Sequence, residues 1–208
     1  MKLFLASEAK HPESIIKLRK FIGGSFKNKT IAYIPTANNG EHAFEDWKEN
    51  STTWKLVQTL GSKVTAVQFE DYKNSTALEK LINKDIIWFA GGAAGYLLYW
   101  IRRCEIDKAL PKLLERSIYV GSSAGSMICA KTQHVSSWYL GEPETGANLL
   151  PGLGLIDFEI YPHYEENLLP QIRKLWKKGK LYLLKNGEVI TVVGNKVKVL
   201  GEERIIKK

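Results

Sequence analysis

Along the first 130 residues, short apolar runs alternate with longer segments whose apolar positions recur at helical spacing. The runs cover residues 3–6, 30–35, 64–69, 85–90 and 118–120. They are short, rich in β-branched and aromatic side chains, and mostly apolar on both faces. That pattern predicts strands of a parallel sheet covered on both sides. Between them, residues 12–21, 45–60, 75–81, 96–103 and 106–114 read as helices, and 36–40 as a loop at a strand's carboxyl end. Gly23-Gly24 and Gly61 close the first two helices, which leaves Trp47, Trp54 and Leu56 available for burial in the second. Ser75 is the expected cap of the third, and Pro111 must start, kink or interrupt a turn in the last. Strand and helix in alternation give an α/β fold, a mostly parallel sheet with helices on both faces.

Beyond Lys131 the pattern loosens. Residues 131–155 form a glycine- and proline-bearing loop region, and such length within a compact domain marks a functional segment. Residues 157–161 predict a strand that ends at Pro162-His163-Tyr164, and 168–176 a helix that tolerates Pro170 in its first turn. The tail reads as a short antiparallel extension of three strands, 181–184, 188–193 and 196–200. Asn186-Gly187 and Gly194-Asn195 supply its hairpin turns. No repeat, linker or low-complexity stretch interrupts the chain, so residues 1–208 are expected to fold as a single domain.

Composition narrows the classes. The net charge is +8, from 30 basic and 22 acidic residues, but the basic residues are scattered rather than clustered. A scattered excess describes a solvated surface, so nucleic acid is not an expected partner. No window approaches the roughly 18 apolar residues of a membrane span, and the N-terminal apolar stretch is too short for a signal peptide. Cys104 and Cys129 give neither a disulfide framework nor metal spacing. A cytoplasmic location is the expectation, and no metal or organic cofactor is implied.

The chemistry concentrates at the fifth predicted strand. Gly121-Ser122-Ser123-Ala124-Gly125 follows Ile118-Tyr119-Val120 and opens a small-residue helix, which is the nucleophile-elbow pattern. A serine on such a turn stands clear of the sheet, and free N–H groups at the helix start face a developing oxyanion. A second junction, Phe89-Ala90-Gly91-Gly92, ends the fourth strand, and its glycines let backbone N–H groups approach a ligand closely. It is not a phosphate loop, because no Gly-Lys-Ser/Thr follows. Both junctions fall at the carboxyl ends of parallel strands, where ligands of such sheets gather. The serine needs a base. His163, just past a strand's carboxyl end, is the leading candidate, and His134 in the loop is an alternative. His11 and His42 lie in polar surroundings and read as surface residues.

Phe89-Ala90-Gly91-Gly92, Gly121-Ser122-Ser123-Ala124-Gly125-Ser126 and Tyr161-Pro162-His163-Tyr164 together resemble peptidase E, the aspartyl dipeptidases, a group that includes cyanophycinase. Ile31-Ala32-Tyr33-Ile34-Pro35-Thr36-Ala37 shares the family's look. The resemblance implies a flavodoxin-like sheet related to class I glutamine amidotransferases, with Ser123 as nucleophile and His163 as base. It implies an oxyanion hole from the N–H groups of Gly92 and Ala124. For the third member of a Ser-His-Glu triad it points to two places, Glu165 and Glu188. Asp157 and Glu159 suit that role less, since they precede His163 on its own strand.

The expected function is therefore a serine-type hydrolase of small peptides. A non-catalytic relative that binds ligands in the same pocket is the second reading, and an esterase or amidase the third. Ala93 and Ala94 replace the family's usual Asn-Thr, and Arg173 is the one arginine between His163 and Gly179. Arg173 is thus the candidate substrate-binding cation, and preference for an N-terminal aspartate is expected to be weak. A peptide is the expected partner, and the sequence leaves association with further copies of the chain open.

Overall fold

The computed structural model describes residues 1–41, 47–61 and 63–208. Its strands are β1 (Lys2–Ala6), β2 (Thr30–Ile34), β3 (Lys63–Ala66), β4 (Ile86–Phe89), β5 (Ile118–Ser122), β6 (Glu159–Tyr161), β7 (Lys180–Leu183), β8 (Val189–Val193), β9 (Lys196–Leu200) and β10 (Ile205–Lys207). A seven-stranded sheet runs β3-β2-β4-β5-β1-β8-β9. From β3 through β1 all neighbours are parallel, while β8 and β9 join antiparallel.

Alternation along the central strands divides the core in two, as side chains on a strand point by turns to opposite faces. Leu3, Leu5, Ile34, Ile87, Phe89 and Tyr119 pack on one face of the sheet. Phe4, Ile31, Tyr33, Ile86, Trp88 and Val120 pack on the other. Helices Ala94–Arg103 and Ile106–Leu113 contribute Leu97, Leu98, Ile101 and Leu110 to the first core, and helix Pro12–Phe21 contributes Leu18 to the second. The expected mixed α/β architecture is thus present, with a large, mostly parallel central sheet.

Several local expectations change. The segment after β2 is a helix, Thr36–Glu41, rather than a loop. Thr36 explains it: the hydroxyl accepts from Phe69 N–H at 3.1 Å and donates to Glu70 at 2.9 Å, tying this turn to the next element. The third strand stops at Ala66, and Phe69–Tyr72 is helical. In the helix expected over 45–60, the described part is split into Trp47–Asn50 and Thr52–Gln58. Ser51 makes the break by capping the second piece, its Oγ accepting from Trp54 N–H at 3.1 Å. The start of that expected helix, the burial of Trp47 and the surface placement of His42 lie outside the described residues. Asn74, not Ser75, caps the 3-10 turn Ser75–Lys80. The long loop holds a short helix, His134–Trp138, and a 3-10 turn, Ala147–Leu149.

The tail departs most. Gly194-Asn195 turns the β8–β9 hairpin as expected, but Asn186-Gly187 joins no hairpin. β7 instead lies in a second sheet of order β10-β7-β6, parallel to β6 and antiparallel to β10. β8 leaves β7 and pairs with β1. That crossing covers the edge of β1 that faces away from β5, and unpaired edges are costly. Leu181 and Leu183 meanwhile bury with Tyr161, Tyr164, Ile172 and Trp176 in a third cluster.

The short helix Ala124–Met127 lies directly on β4, because Gly125 has no side chain to hold it off. A Cβ there would overlap the carbonyl of Phe89. Gly125→Ala should therefore lower stability by about 1–3 kcal/mol, read as a drop in the urea midpoint. An unchanged midpoint would mean that the helix and strand separate freely.

Candidate active site

At the end of β5 the backbone turns through Ser123, whose φ of 49° and ψ of −113° lie far from any ordinary well. A non-glycine residue held there stores roughly 1–3 kcal/mol of strain, and it persists only where its surroundings over-determine it. Here they do. Ser123 N–H donates to the carbonyls of Ala6 (3.1 Å) and Ser7 (3.0 Å), and its own carbonyl accepts from Ser126 (2.7 Å) and Met127 (3.0 Å). The neighbouring serines are committed elsewhere: Ser122 Oγ accepts from Ala9 N–H at 3.0 Å, and Ser126 Oγ donates to Ala6 O at 2.8 Å. Ser123 keeps its hydroxyl for the cleft.

The end of β4 runs beside it. A Cβ built on Gly91 would lie 3.3 Å from Ser123 Cβ, so the glycine junction and the elbow are in contact. Gly92 has φ 129°, and a side chain there would overlap the Ala37 carbonyl. Only glycine serves. The carboxylate of Glu144, from the long loop, accepts Gly95 N–H at 2.8 Å and Tyr96 N–H at 3.0 Å, capping helix Ala94–Arg103. The N–H groups of Gly92 and Ala124 donate to no acceptor among the described residues.

His163 follows β6 with φ 51°, a second strained residue. Its N–H donates to Ser7 Oγ at 2.7 Å, and Tyr164 N–H donates to Leu184 O at 3.0 Å. Its Nδ1 lies 2.6 Å from Asn186 Oδ1, which also accepts from Ser7 Oγ at 3.2 Å. Ser123, His163, Gly91, Gly92 and Glu165 line one cleft of about 1190 Å³. Ala124 is buried directly behind the serine.

The other expected site residues are placed differently. Glu165 is on the cleft wall, but no hydrogen bond joins it to His163 among the described residues. Glu188 is turned away. Its carboxylate accepts Lys185 N–H (2.9 Å) and Glu202 N–H (3.0 Å) and pairs with Arg204 at 2.8 Å. Arg173 is exposed on helix Leu169–Leu175, outside the cleft lining, where its carbonyl accepts from Lys208 Nζ at 2.5 Å. His134 opens a short helix and is not among the residues lining the cleft, and His11 caps helix Pro12–Phe21. Glu159 holds the long loop, accepting Thr132 Oγ1 at 2.5 Å and Val135 N–H at 2.9 Å. Burial pushes the Cys129 thiol up to about 12, so at neutral pH it stays protonated and is no competing nucleophile.

Ser7 and Asn186 escaped the reading of the sequence. The signal for Ser7 was its place just past β1, at the same carboxyl edge as the elbow. Asn186 was hidden in a turn-forming Asn-Gly pair. The charge of the cleft was also not legible: Glu8, Glu41, Glu142, Glu144 and Glu165 line it against Lys10, which itself lies 3.5 Å from Glu8.

The sequence profile of Peptidase family S51 matches residues 3–200. The chain belongs to this family. The S51 chain is 26% identical over 166 residues to an uncharacterized peptidase of Pasteurella multocida (strain Pm70), covering 78% of this chain and 77% of that one. It is 24% identical over 179 residues to peptidase E of a Nostoc species, covering 85% and 69% respectively. In structure it is similar to a Listeria monocytogenes EGD-e protein provisionally assigned as peptidase E, with a TM-score of 0.76, 24% identity and coverage of 95% and 96%. A peptidase from an acI-B1 Actinobacterium aligns with a TM-score of 0.66 at 19% identity, over 99% and 93%. At such identities these structures speak for the fold. Family membership makes the chain a peptidase.

The surroundings of Glu188 yield a test. Glu188→Gln should weaken the pair with Arg204, both partners being 12% exposed, and lower stability by about 1–3 kcal/mol in urea denaturation. Hydrolysis should fall less than tenfold, whereas loss of a carboxylate partner of the base costs about 10⁴-fold. A loss of that size at unchanged stability would return Glu188 to the triad.

Proposed function

We propose that this S51 chain is a serine-type peptidase of small peptides, with Ser123 as nucleophile and His163 as general base. One observation carries the reading: a serine held at a strained turn shares a cleft with a strained histidine, and Gly91 at the end of β4 packs on that serine. Ser123 Oγ attacks the peptide carbonyl while His163 takes its proton. The N–H groups of Gly92 and Ala124 receive the negative oxygen of the tetrahedral intermediate. Imidazolium then protonates the departing amine. Water, deprotonated by His163, cleaves the acyl ester and frees Ser123.

Substrate preference follows from the cleft's charge. An acidic first residue needs a fixed cation, most effectively an arginine fork. Among the described residues, Lys10 is the Lys/Arg cation on the wall, it is shared with Glu8, and Arg173 stays outside. The carboxylates instead suit a peptide's free ammonium group.

Ser123→Ala should abolish labelling by a fluorophosphonate and reduce hydrolysis by about 10³-fold or more, with Ser122→Ala and Ser126→Ala doing less. Equal labelling of wild type and Ser123→Ala would remove the reading. Across dipeptides differing only in the first residue, aspartate should be preferred over alanine by less than about a hundredfold, or 2.7 kcal/mol. A larger preference would place a cation in the cleft that the present geometry lacks.

A further inference from the structure

A histidine that takes a proton from serine must present a bare ring nitrogen, so its other nitrogen must carry the hydrogen. In serine proteases a buried carboxylate enforces that tautomer, because it can only accept. At His163 neither expected glutamate does so. The group at Nδ1 is the side-chain oxygen of Asn186, 2.6 Å away.

We propose that Asn186, oriented by Ser7, is the positioning residue for His163, so that the proton relay runs on Ser123, His163 and a neutral amide. The proposal rests on the serine-peptidase reading above and goes beyond it in replacing the expected acid. An asparagine at this place is ambiguous by itself, because its amide has a donating end and an accepting end. Where asparagine replaces the aspartate of a serine protease, the donating end faces the ring, the wrong tautomer results, and activity falls about 10⁴-fold.

Ser7 removes the ambiguity. It is wholly buried. Its oxygen accepts His163 N–H at 2.7 Å, and its single proton goes to Asn186 at 3.2 Å. A buried hydroxyl without an acceptor loses its hydrogen bond to no gain, and Oδ1 of Asn186 is the acceptor within reach. The amide is therefore held with Oδ1 toward both Ser7 and the ring. Nδ1 then carries the hydrogen, and Nε2 is left bare for the serine's proton.

The backbone around Asn186 is built to keep it there. Glu188 N–H donates to Lys185 O at 3.0 Å, and the Glu188 carboxylate clamps Lys185 N–H from the other side. Ser7 N–H donates to Glu188 O at 3.1 Å, tying the turn to β1. Glu188 thus supports the turn that carries the positioning residue, without touching the histidine.

A neutral partner fixes the tautomer but adds no charge to stabilise imidazolium. A carboxylate put in the same place adds a charge that favours the protonated ring. The test is the second-order rate of Ser123 labelling by a fluorophosphonate, followed against pH, on the full chain. Asn186→Ala should lower that rate at least tenfold under conditions where the urea curve shows the variant still folded, even though loss of the Ser7 acceptor lowers its midpoint. Asn186→Asp should retain the plateau rate, with the acid limb displaced upward by about one pH unit or more. Ser7→Ala should also lower the rate, because the amide is then free to flip. Ser7→Ala/Asn186→Asp should recover it, because a carboxylate has no wrong orientation. That recovery would not follow from a purely structural role for Ser7. The proposal is overturned if Asn186→Ala labels as fast as wild type, or if the Asn186→Asp acid limb stays in place. Failure of wild type itself to label would instead count against the serine-peptidase reading.

Discussion

At the carboxyl end of β1, Ala6 and the Ser7 that follows it hold both strained turns of the cleft. The carbonyls of Ala6 and Ser7 accept Ser123 N–H, and Ala6 also accepts the Ser126 hydroxyl. The Ser7 hydroxyl accepts His163 N–H, while Ser7 N–H reaches Glu188 O in the crossing from β7 to β8. Ser123, His163 and the Asn186 turn are thereby referred to a single short segment of backbone. β1 is suited to this, because it lies inside the sheet with β5 on one side and β8 on the other. Its five residues run from Lys2 to Ala6 and are buried after the first position. Buried and bonded along both edges, it gives little under load, and a reacting geometry needs supports that do not give.

Two residues at this edge, Ser123 and His163, carry positive φ without being glycine. Their strain is sustained by hydrogen bonds that end on β1, so it is met by the stability of the central sheet rather than by local preference. The two strained turns arrive from different sheets. β5 delivers Ser123 from the large sheet and β6 delivers His163 from the small one. Ser7 and Asn186 stand at the seam between them. The division also explains why, among the described residues, neither expected glutamate is bonded to His163. Glu188 lies past the crossing and is claimed by Arg204, and Glu165 sits on the cleft wall with no hydrogen bond to the ring among the described residues.

Much of this was legible along the chain. Short apolar strands alternating with helices specify a covered parallel sheet, since both patterns are local and have fixed periods. The elbow and the Gly91-Gly92 junction were legible because tight turns demand particular small residues at particular spacings. Pro162-His163 at a strand end was legible for the same reason. The break at Ser51 and the helix at Thr36–Glu41 were less so, because single side-chain hydrogen bonds decide them.

The sequence by itself determined the sheet, the strained serine and the histidine just past β6. Only the tertiary structure decided where β7 and β8 go, and with them what stands behind the histidine. Asn186-Gly187 carries the same local signal whether it closes a hairpin or links two sheets. The choice was made by β1, whose open edge takes β8, and by Leu181 and Leu183, which bury in the smaller core. Contacts of that kind join residues far apart in the chain, such as Ser7 and Asn186, and no periodicity or short motif can announce them.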